Sequence, residues 1–464
     1  MRTPIEPEHL LMPLLTDRLN FGNVYFRDKT YTPDTVSLSI DAVAECLNKR
    51  ITSNSPFVYL FAPNHIKMVY ALYGIIKSGR ICVLVDPAIG KLELAEMMAD
   101  TIPGALIRID KTTDTFNFEK EFEFTDYTVE EKRLEGLEDV CLIVYTNASD
   151  GWAKGAMLTS ENLLANAEAG ITCNPNYENT VSCSVIPFHH LFALQTGVII
   201  PSIARGNILI EDIADFSSIR KIGAELERFK ATYIYAAPLV YYFLKKLPNI
   251  KSIVSHAKNL TSGGCRLADS IYSSYKNDLN VEIQEGYGLT EASPVCTWHW
   301  PGDRVKQGSV GRAFPCCEVA IFGPQDQSLP AGQVGEICIK GANVMKGYYN
   351  NPETTQLTTK NGWLHSGDIG KIDDEGYVYF IESKKLMFNV GGNKVYPAEV
   401  ERLMKMHNNV LSVNISSETD LIQTCILNAK VKLRRNTPEA QKKLKEWCGE
   451  NMTEYKVAKD MELV

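Results

Sequence analysis

The feature that most constrains this chain is an apolar run, Phe57-Val58-Tyr59-Leu60-Phe61, followed by a helical pattern and a second apolar run. The helical pattern passes through Met68, Ala71, Leu72 and Ile75, and the second run is Ile81-Cys82-Val83-Leu84-Val85. Five consecutive apolar residues leave no solvent face, so each run predicts a buried strand. Strand, helix and strand in that order predict a βαβ unit and therefore parallel sheet, with Asp86-Pro87 as the stop signal. Such a sheet needs helices on its faces and hence a large core. The chain can supply one: it has 464 residues, 45% of them hydrophobic, a length that predicts two to four units.

Further buried-strand candidates lie at Val140 to Tyr145, Val181 to Ile186, Ile208 to Ile210 and Thr232 to Ala236. Gly and Pro punctuation between 301 and 376 breaks the chain into short strands and turns, which predicts a β-rich part at about 301–381. Beyond residue 382 the pattern changes again. Val400 to Met406 and Pro438 to Met452 read as helices, with strand candidates Val410 to Ile415 and Ile422 to Val431 between them. The predicted fold class is α/β: a large portion, residues 1–381, of mixed and parallel sheets with flanking helices, and a small α+β portion, residues 382–464.

Charge and cysteine usage exclude several functions. Lys and Arg total 48 against 56 Asp and Glu, a net charge of −8, which gives no electrostatic basis for nucleic-acid binding. Twelve cysteines occur without a C-x-x-C pair, the closest being the adjacent Cys316 and Cys317. That spacing argues against a zinc ribbon or a disulfide framework and predicts a reducing, cytoplasmic setting. No apolar run approaches the roughly 20 residues of a membrane span, and Glu6 and Glu8 stand where a signal peptide would need an apolar core.

The candidate chemistry begins at Tyr145-Thr-Asn-Ala-Ser-Asp-Gly-Trp-Ala-Lys-Gly155, which follows a strand candidate and precedes a helix starting near Ser160. Small and hydroxylated residues ending in Gly-x-x-Lys-Gly can wrap backbone N–H groups around an anion, although this is no Walker loop. Pro187-Phe-His-His190 lies at a strand end, where ligand crevices of open α/β sheets form. Glu285-Gly-Tyr-Gly-Leu-Thr-Glu291 places a ring, a hydroxyl and a carboxylate on a glycine-flanked turn, suited to a nucleobase and a magnesium ion. Trp363-Leu-His-Ser-Gly-Asp368 offers a carboxylate to a ribose diol. Gly391, Gly392, Lys394 and Pro397-Ala-Glu399 form a sharp turn into a helix, whose first turn suits Glu399.

Together these segments resemble the adenylate-forming superfamily of acyl- and aryl-CoA synthetases, luciferases and peptide-synthetase adenylation domains. The phosphate loop matches at Tyr145, Thr146, Gly151, Lys154 and Gly155, and the Y-G-x-T-E turn is intact at 287–291. The G-D turn at 367–368, Val395 to Glu401, Gly332-x-x-Gly335-Glu336 and Gly347-Tyr348-Tyr349-x-x-Pro352-Glu353 also match, in family order across about residues 55 to 464. The resemblance implies ATP-dependent activation of a small carboxylic acid through an acyl-adenylate, then transfer of the acyl group to the thiol of CoA or of a carrier-protein phosphopantetheine. It implies ATP, Mg2+ and that thiol as cofactors, no nucleic acid, and a monomer or homodimer, with any acyl or aryl carrier protein acting in trans.

By the same resemblance, Lys154, His190, Thr290 and Glu291 carry the chemistry, and Glu291 holds the metal. Thr146, Ser149, Gly151, Tyr287, Gly288, Thr290, Asp368 and Lys385 bind ATP and AMP. His190, Ala193, Gly263, Gly264 and Cys265 line the acyl pocket, and Lys385 is the hinge. Three departures accompany it. Asn147, Ala148, Ser149 and Asp150 replace the usual small phosphate-loop residues, so Asp150 puts a negative charge beside a triphosphate. Glu382 and Ser383 stand where a G-R pair is usual, with Lys384 or Lys385 the nearest cation. Tyr455 to Val464 resembles the segment that leads into the family's terminal lysine loop, which implies a small portion cut short before it. The alternative to a ligase is a homologue with a decayed nucleotide site, acting as an ATP-independent acyl transferase or a binding protein.

Overall fold

The computed structural model describes residues 14–146, 151–174, 176–211, 218–384, 386–391, 393–420 and 424–463. Two seven-stranded sheets form the larger portion. The first runs Gly347–Tyr348, Lys154–Thr159, Val140–Thr146, Ile81–Val85, Phe57–Phe61, Ala105–Arg108, Phe122–Phe124. Its four central strands are mutually parallel, as the βαβ pattern predicts, whereas the flanking strands pair antiparallel. The second runs Ile283–Glu285, Asn259–Ser262, Tyr233–Ala236, Val181–Val185, Asn207–Ile210, Val24–Phe26, Lys29–Tyr31, with only the last pair antiparallel.

Helix Ile66–Lys77 shows why the two sheets belong together. Every residue from Ile66 to Ile76 is buried, and a helix that is hydrophobic all round has no solvent face to offer. Its side chains join one apolar cluster with Val58 and Leu60 of the first sheet and Val24, Ile208 and Tyr235 of the second. Helix Ser160–Cys173 enters the same cluster. A capping box fixes its start: the Thr159 hydroxyl accepts from Asn162 N and the Asn162 side chain accepts from Thr159 N.

One local feature differs from the sequence reading. Lys154 and Gly155 do not lead straight to the helix; they open a strand that pairs antiparallel with Val140–Thr146, Thr146 facing Lys154. The phosphate-loop segment is therefore the connection of a β-hairpin, and its residues 147–150 lie outside the described residues.

Two smaller antiparallel sheets follow. Tyr287–Gly288, Val295–Trp298 and Arg312–Ala313 form one; Cys317–Phe322, Gly335–Gly341, Trp363–Ile372 and Val378–Ser383 form most of the other. Beyond them come a hairpin, Phe388–Val390 with Asn393–Val395, and helix Pro397–Lys405. A three-stranded sheet, Val410–Asp420, Thr424–Leu433 and Asp460–Leu463, packs with helix Pro438–Asn451. These last elements have their own apolar cluster, against which Leu92 of helix Lys91–Asp100 also packs.

A buried ion cluster joins the two ends of the chain. Lys456 Nζ donates to Glu93 Oε1 at 2.6 Å and to Glu399 Oε1 at 2.7 Å, with 3% of its side chain exposed. Thr453 caps the other oxygen of Glu93 through its N–H and its hydroxyl, both at 2.7 Å. Burial by itself would lower the Lys456 pKa; Glu399 and Glu93 outweigh it and hold the ammonium above its ordinary value. Removing the cation would leave two carboxylates in a dry site, which typically costs about 3–5 kcal/mol. Lys456→Met is therefore expected to lower the unfolding free energy obtained from urea titration by an amount of that order. A loss below about 1 kcal/mol would mean that the site hydrates when the ammonium is absent.

Candidate active site

The segments singled out in the sequence converge at the junction of three sheets. Thr146 ends a strand of the first sheet, Tyr287 and Glu291 flank the first turn of a small sheet, Tyr348 lies on the edge strand, and Asp368 belongs to the other small sheet. Glu291 Oε1 accepts from Tyr348 Oη at 2.7 Å and from Thr146 Oγ1 at 3.3 Å. Both bonds fall on one oxygen, and Oε2 carries no hydrogen bond from the described residues. The Lys154 ammonium lies 6.0 Å from the Tyr348 ring centroid, on the same side of the junction. A carboxylate held by two hydroxyls is an all-oxygen donor set, the kind a magnesium ion accepts.

Tyr287 Oη donates to Asp368 Oδ2 at 2.8 Å. Burial, then the Asp368 charge, pushes the Tyr287 phenol well above its ordinary value, so it stays a donor. The Phe380 ring lies near-parallel to Tyr287 with centroids 6.2 Å apart. The turn demands glycine at 288: a Cβ there would sit 1.9 Å from the Pro294 carbonyl oxygen. Thr290 opens the short 3-10 turn that follows.

The second group surrounds His190. His189 Nε2 lies 3.6 Å from Asp86 Oδ2, and the two histidine rings are 4.5 Å apart. Asp86 follows strand Ile81–Val85, so the Asp-Pro stop places a carboxylate beside the histidines, a partner that the sequence alone did not reveal. Burial lowers His190 to about 3, with His189 adding to the shift and Asp86 opposing it; burial lowers His189 to about 4. Both rings are neutral at physiological pH. Burial raises the Asp86 carboxyl above its ordinary value. Ala193 is fully buried. Gly263 faces Phe192, whose Cε1 lies 2.7 Å from the position a Cβ would take, while Gly264 has open space there.

The C-terminal hairpin reaches this group. The Asn393 side chain lies beside His190 and the Asn389 side chain beside Cys265, whose thiol burial pushes up to about 11. Helix Pro397–Lys405 meets the phosphate loop. Arg402 Nε donates to Gly151 O at 2.8 Å, its other nitrogens grip Glu96 at 2.5 and 2.8 Å, and its guanidinium lies 3.9 Å from the Trp152 ring centroid. Gly151 has φ +86, and a Cβ there would come within 3.3 Å of Ala398 O.

The structure thus brings Thr146, Lys154, Tyr287, Gly288, Thr290, Glu291 and Asp368 to one junction, and His190, Ala193, Gly263, Gly264 and Cys265 to a neighbouring group. Ser149, Asp150 and Lys385 lie outside the described residues. Lys384, a candidate for the missing hinge cation, instead pairs with Glu336 at 3.0 Å. Glu399 does occupy the first turn of its helix, but its carboxylate serves the ion cluster. Sequence reasoning missed Tyr348, Asp86, Asn389, Asn393 and Arg402. Tyr348 and Asp86 were visible as motif members without a role. The other three act across hundreds of residues and leave no local signal.

The comparisons with known proteins agree with this geometry. Residues 17–349 match the AMP-binding enzyme family. A long-chain-fatty-acid–CoA ligase of Bacillus subtilis is 30% identical over 71% of this chain and 59% of its own length, so less than two thirds of that relative is spanned. A feruloyl-CoA synthase of an Amycolatopsis species is 31% identical over 74% of this chain and 72% of its own. Among solved structures, an o-succinylbenzoate CoA synthetase from Bacillus subtilis superposes with a TM-score of 0.82 at 21% identity, covering 98% of this chain and 95% of that one. An amide bond synthetase from Marinactinospora thermotolerans gives 0.83 at 19%, covering 97% and 94%. No described helix is long and apolar enough to cross a membrane. With the family matched over more than two thirds of its length, and the fold shared by these solved structures, the chain belongs to the AMP-binding enzyme family.

Proposed function

We propose that this chain is an AMP-forming acid–thiol ligase. A carboxylate oxygen attacks the α-phosphorus of ATP, the bond to pyrophosphate breaks, and an acyl-adenylate forms. A thiol then attacks the acyl carbon and AMP leaves, giving a thioester. The observation that carries this reading is the paired arrangement of Tyr287 with Asp368 and of Thr146 and Tyr348 with Glu291. One pair presents a fixed carboxylate to a ribose diol, and the other fixes a carboxylate suited to a hard cation. The same arrangement favours a working nucleotide site over the decayed alternative.

In this reading Asp368 accepts from the ribose hydroxyls while Tyr287 holds its orientation. Thr290 and Lys154 face the phosphates. Glu291 holds Mg2+, with Thr146 and Tyr348 fixing the carboxylate, and the ion supplies charge neutralisation at the phosphate oxygens. His190, Ala193, Gly263, Gly264 and Cys265 line the acyl site. His190 is neutral, so it can take a hydrogen bond or a proton, and Asn393 lies beside its ring. The acceptor is CoA or a carrier phosphopantetheine supplied in trans. Residues 1–381 and 382–464 are the two working units, with Lys385 between them as hinge.

Acid-dependent exchange of labelled pyrophosphate into ATP tests the reading, with aryl, medium-chain and long-chain acids as the panel. Exchange with at least one acid is expected, and none with any would overturn it. Glu291→Ala should cut that exchange by about 10²–10³ with the fold retained; an unchanged rate would remove Glu291 from the metal role.

The buried histidines make a separate prediction. Their folded pKa values lie below the ordinary 6.5, so at falling pH the unfolded chain takes up protons there and the folded chain does not. Their contribution is complete above about pH 6.5 and is lost as pH drops towards 4, by a few kcal/mol in total, with Asp86 offsetting part of it. His190→Gln should flatten the decline of Tm between pH 6.5 and 4 relative to the parent. An equal slope in the two proteins would show that His190 is not held neutral.

A further inference from the structure

Outside that site, one cluster combines a thiol, an imidazole and a carboxylate. Strands Gly335–Gly341 and Trp363–Ile372 are neighbours, and Cys338 stands opposite His365 in their register. Glu336 and Cys338 are two residues apart on one strand, which puts them near the same face. Their ligating atoms lie within 4.8 Å of one another. His365 Nδ1 is 3.4 Å from Cys338 Sγ and 3.2 Å from Glu336 Oε2, while its other nitrogen, Nε2, is 3.2 Å from Asp326 Oδ1.

His365 therefore sits between two carboxylates. Nδ1 is within hydrogen-bond reach of Cys338 and Glu336, whereas the buried Nε2, although 3.2 Å from Asp326 Oδ1, makes no hydrogen bond with any described residue. The Nδ1 side is therefore where the three side chains face one another and where a cation can be held. Sulfur, nitrogen and oxygen converging on the Nδ1 side form a donor set that borderline-soft divalent ions take. The separations of 3.2 and 3.4 Å match neighbouring ligands around a tetrahedral ion bound at roughly 2.0–2.3 Å. Asp326 Oδ1, 3.2 Å from the outer nitrogen, stands where metal-bound histidines commonly have a carboxylate that orients the ring. Lys384 Nζ, 3.0 Å from Glu336 Oε2, is a half-exposed cation that can swing to solvent.

We propose that Glu336, Cys338 and His365 form a site for a zinc-class divalent cation, with Asp326 as the positioning residue for His365. On binding, the Cys338 thiol releases its proton to solvent, a metal–sulfur bond forms and Lys384 is displaced; nothing is oxidised or reduced. Glu336 Oε1 also accepts from Gly367 N at 2.9 Å, and Gly367 precedes Asp368. Occupancy thereby pulls on the turn that carries Asp368 and weakens nucleotide binding. Only this last consequence rests on the ligase reading.

The test is metal titration of the full chain, with zinc followed by equilibrium dialysis and cadmium by its ultraviolet sulfur-to-metal charge-transfer band. One zinc equivalent is expected, accompanied by that band. Cys338→Ser and His365→Asn should each lower the stoichiometry by one, whereas Cys46→Ser, at another free cysteine, should not. Asp326→Asn, outside the ligand set, should weaken binding by about 10–100-fold and keeps the test valid if a ligand variant fails to fold. Parent-like stoichiometry in Cys338→Ser, or parent-like affinity in Asp326→Asn, would overturn the site. So would absence of zinc binding by the parent protein. Zinc binding without any pyrophosphate exchange would leave the metal site standing and the ligase reading fallen.

Discussion

One buried ammonium between two carboxylates ties the C-terminal elements of this protein to helix Lys91–Asp100. Lys456 satisfies Glu93 from the larger portion and Glu399 from its own, while Thr453 caps the remaining oxygen of Glu93. The cluster carries a net negative charge, and Glu399 Oε2 is buried without a hydrogen-bond partner. Burial lifts the Glu399 carboxyl above its ordinary value, with Lys456 opposing. A contact of this kind has little tolerance for displacement, because separating the partners strands a charge. It gives the docked arrangement a defined geometry where an apolar interface would slide.

That geometry matters because the docked elements complete the site. Helix Pro397–Lys405 starts at the ion cluster and carries Arg402 in its last turn, whose guanidinium holds the Gly151 carbonyl and Glu96 and lies over the Trp152 ring. The hairpin before that helix reaches His190 and Cys265. The phosphate loop and the acyl site thus both touch a single rigid helix–hairpin unit.

The parallel core was legible because fully apolar runs such as Phe57–Phe61 have only one place to go, and because helix Ile66–Lys77 lacks a polar face. The chemistry was legible where a short segment carries its own geometry, as in Gly288, where the Pro294 carbonyl excludes any side chain. Legibility failed where function depends on partners remote in sequence. Nothing local links Glu96 to Arg402, Tyr348 to Glu291, or Asp86 to His189. It failed also for the hairpin nature of the phosphate loop, since Lys154 to Thr159 looks like a lead-in to a helix until its pairing with Val140 to Thr146 is known.

The position of Asn389 and Asn393 changes where acid selectivity should be sought. The sequence points to Gly263, Gly264 and Cys265, small residues of the larger portion, and Gly263 is closed off by Phe192. In the folded chain the polar wall opposite them comes from the hairpin, through Asn389 at Cys265 and Asn393 at His190. Amide side chains offer both donors and acceptors, so this wall can meet a polar acyl group or the amides of a thiol arm, while Phe192 and Ala193 meet an apolar one. The group around His190 and Cys265 thus has an apolar side, from Phe192 and Ala193, and a polar side, from the hairpin. The ion cluster at Lys456, which holds the helix–hairpin unit, is for this reason part of the pocket's definition as well as of the fold's stability.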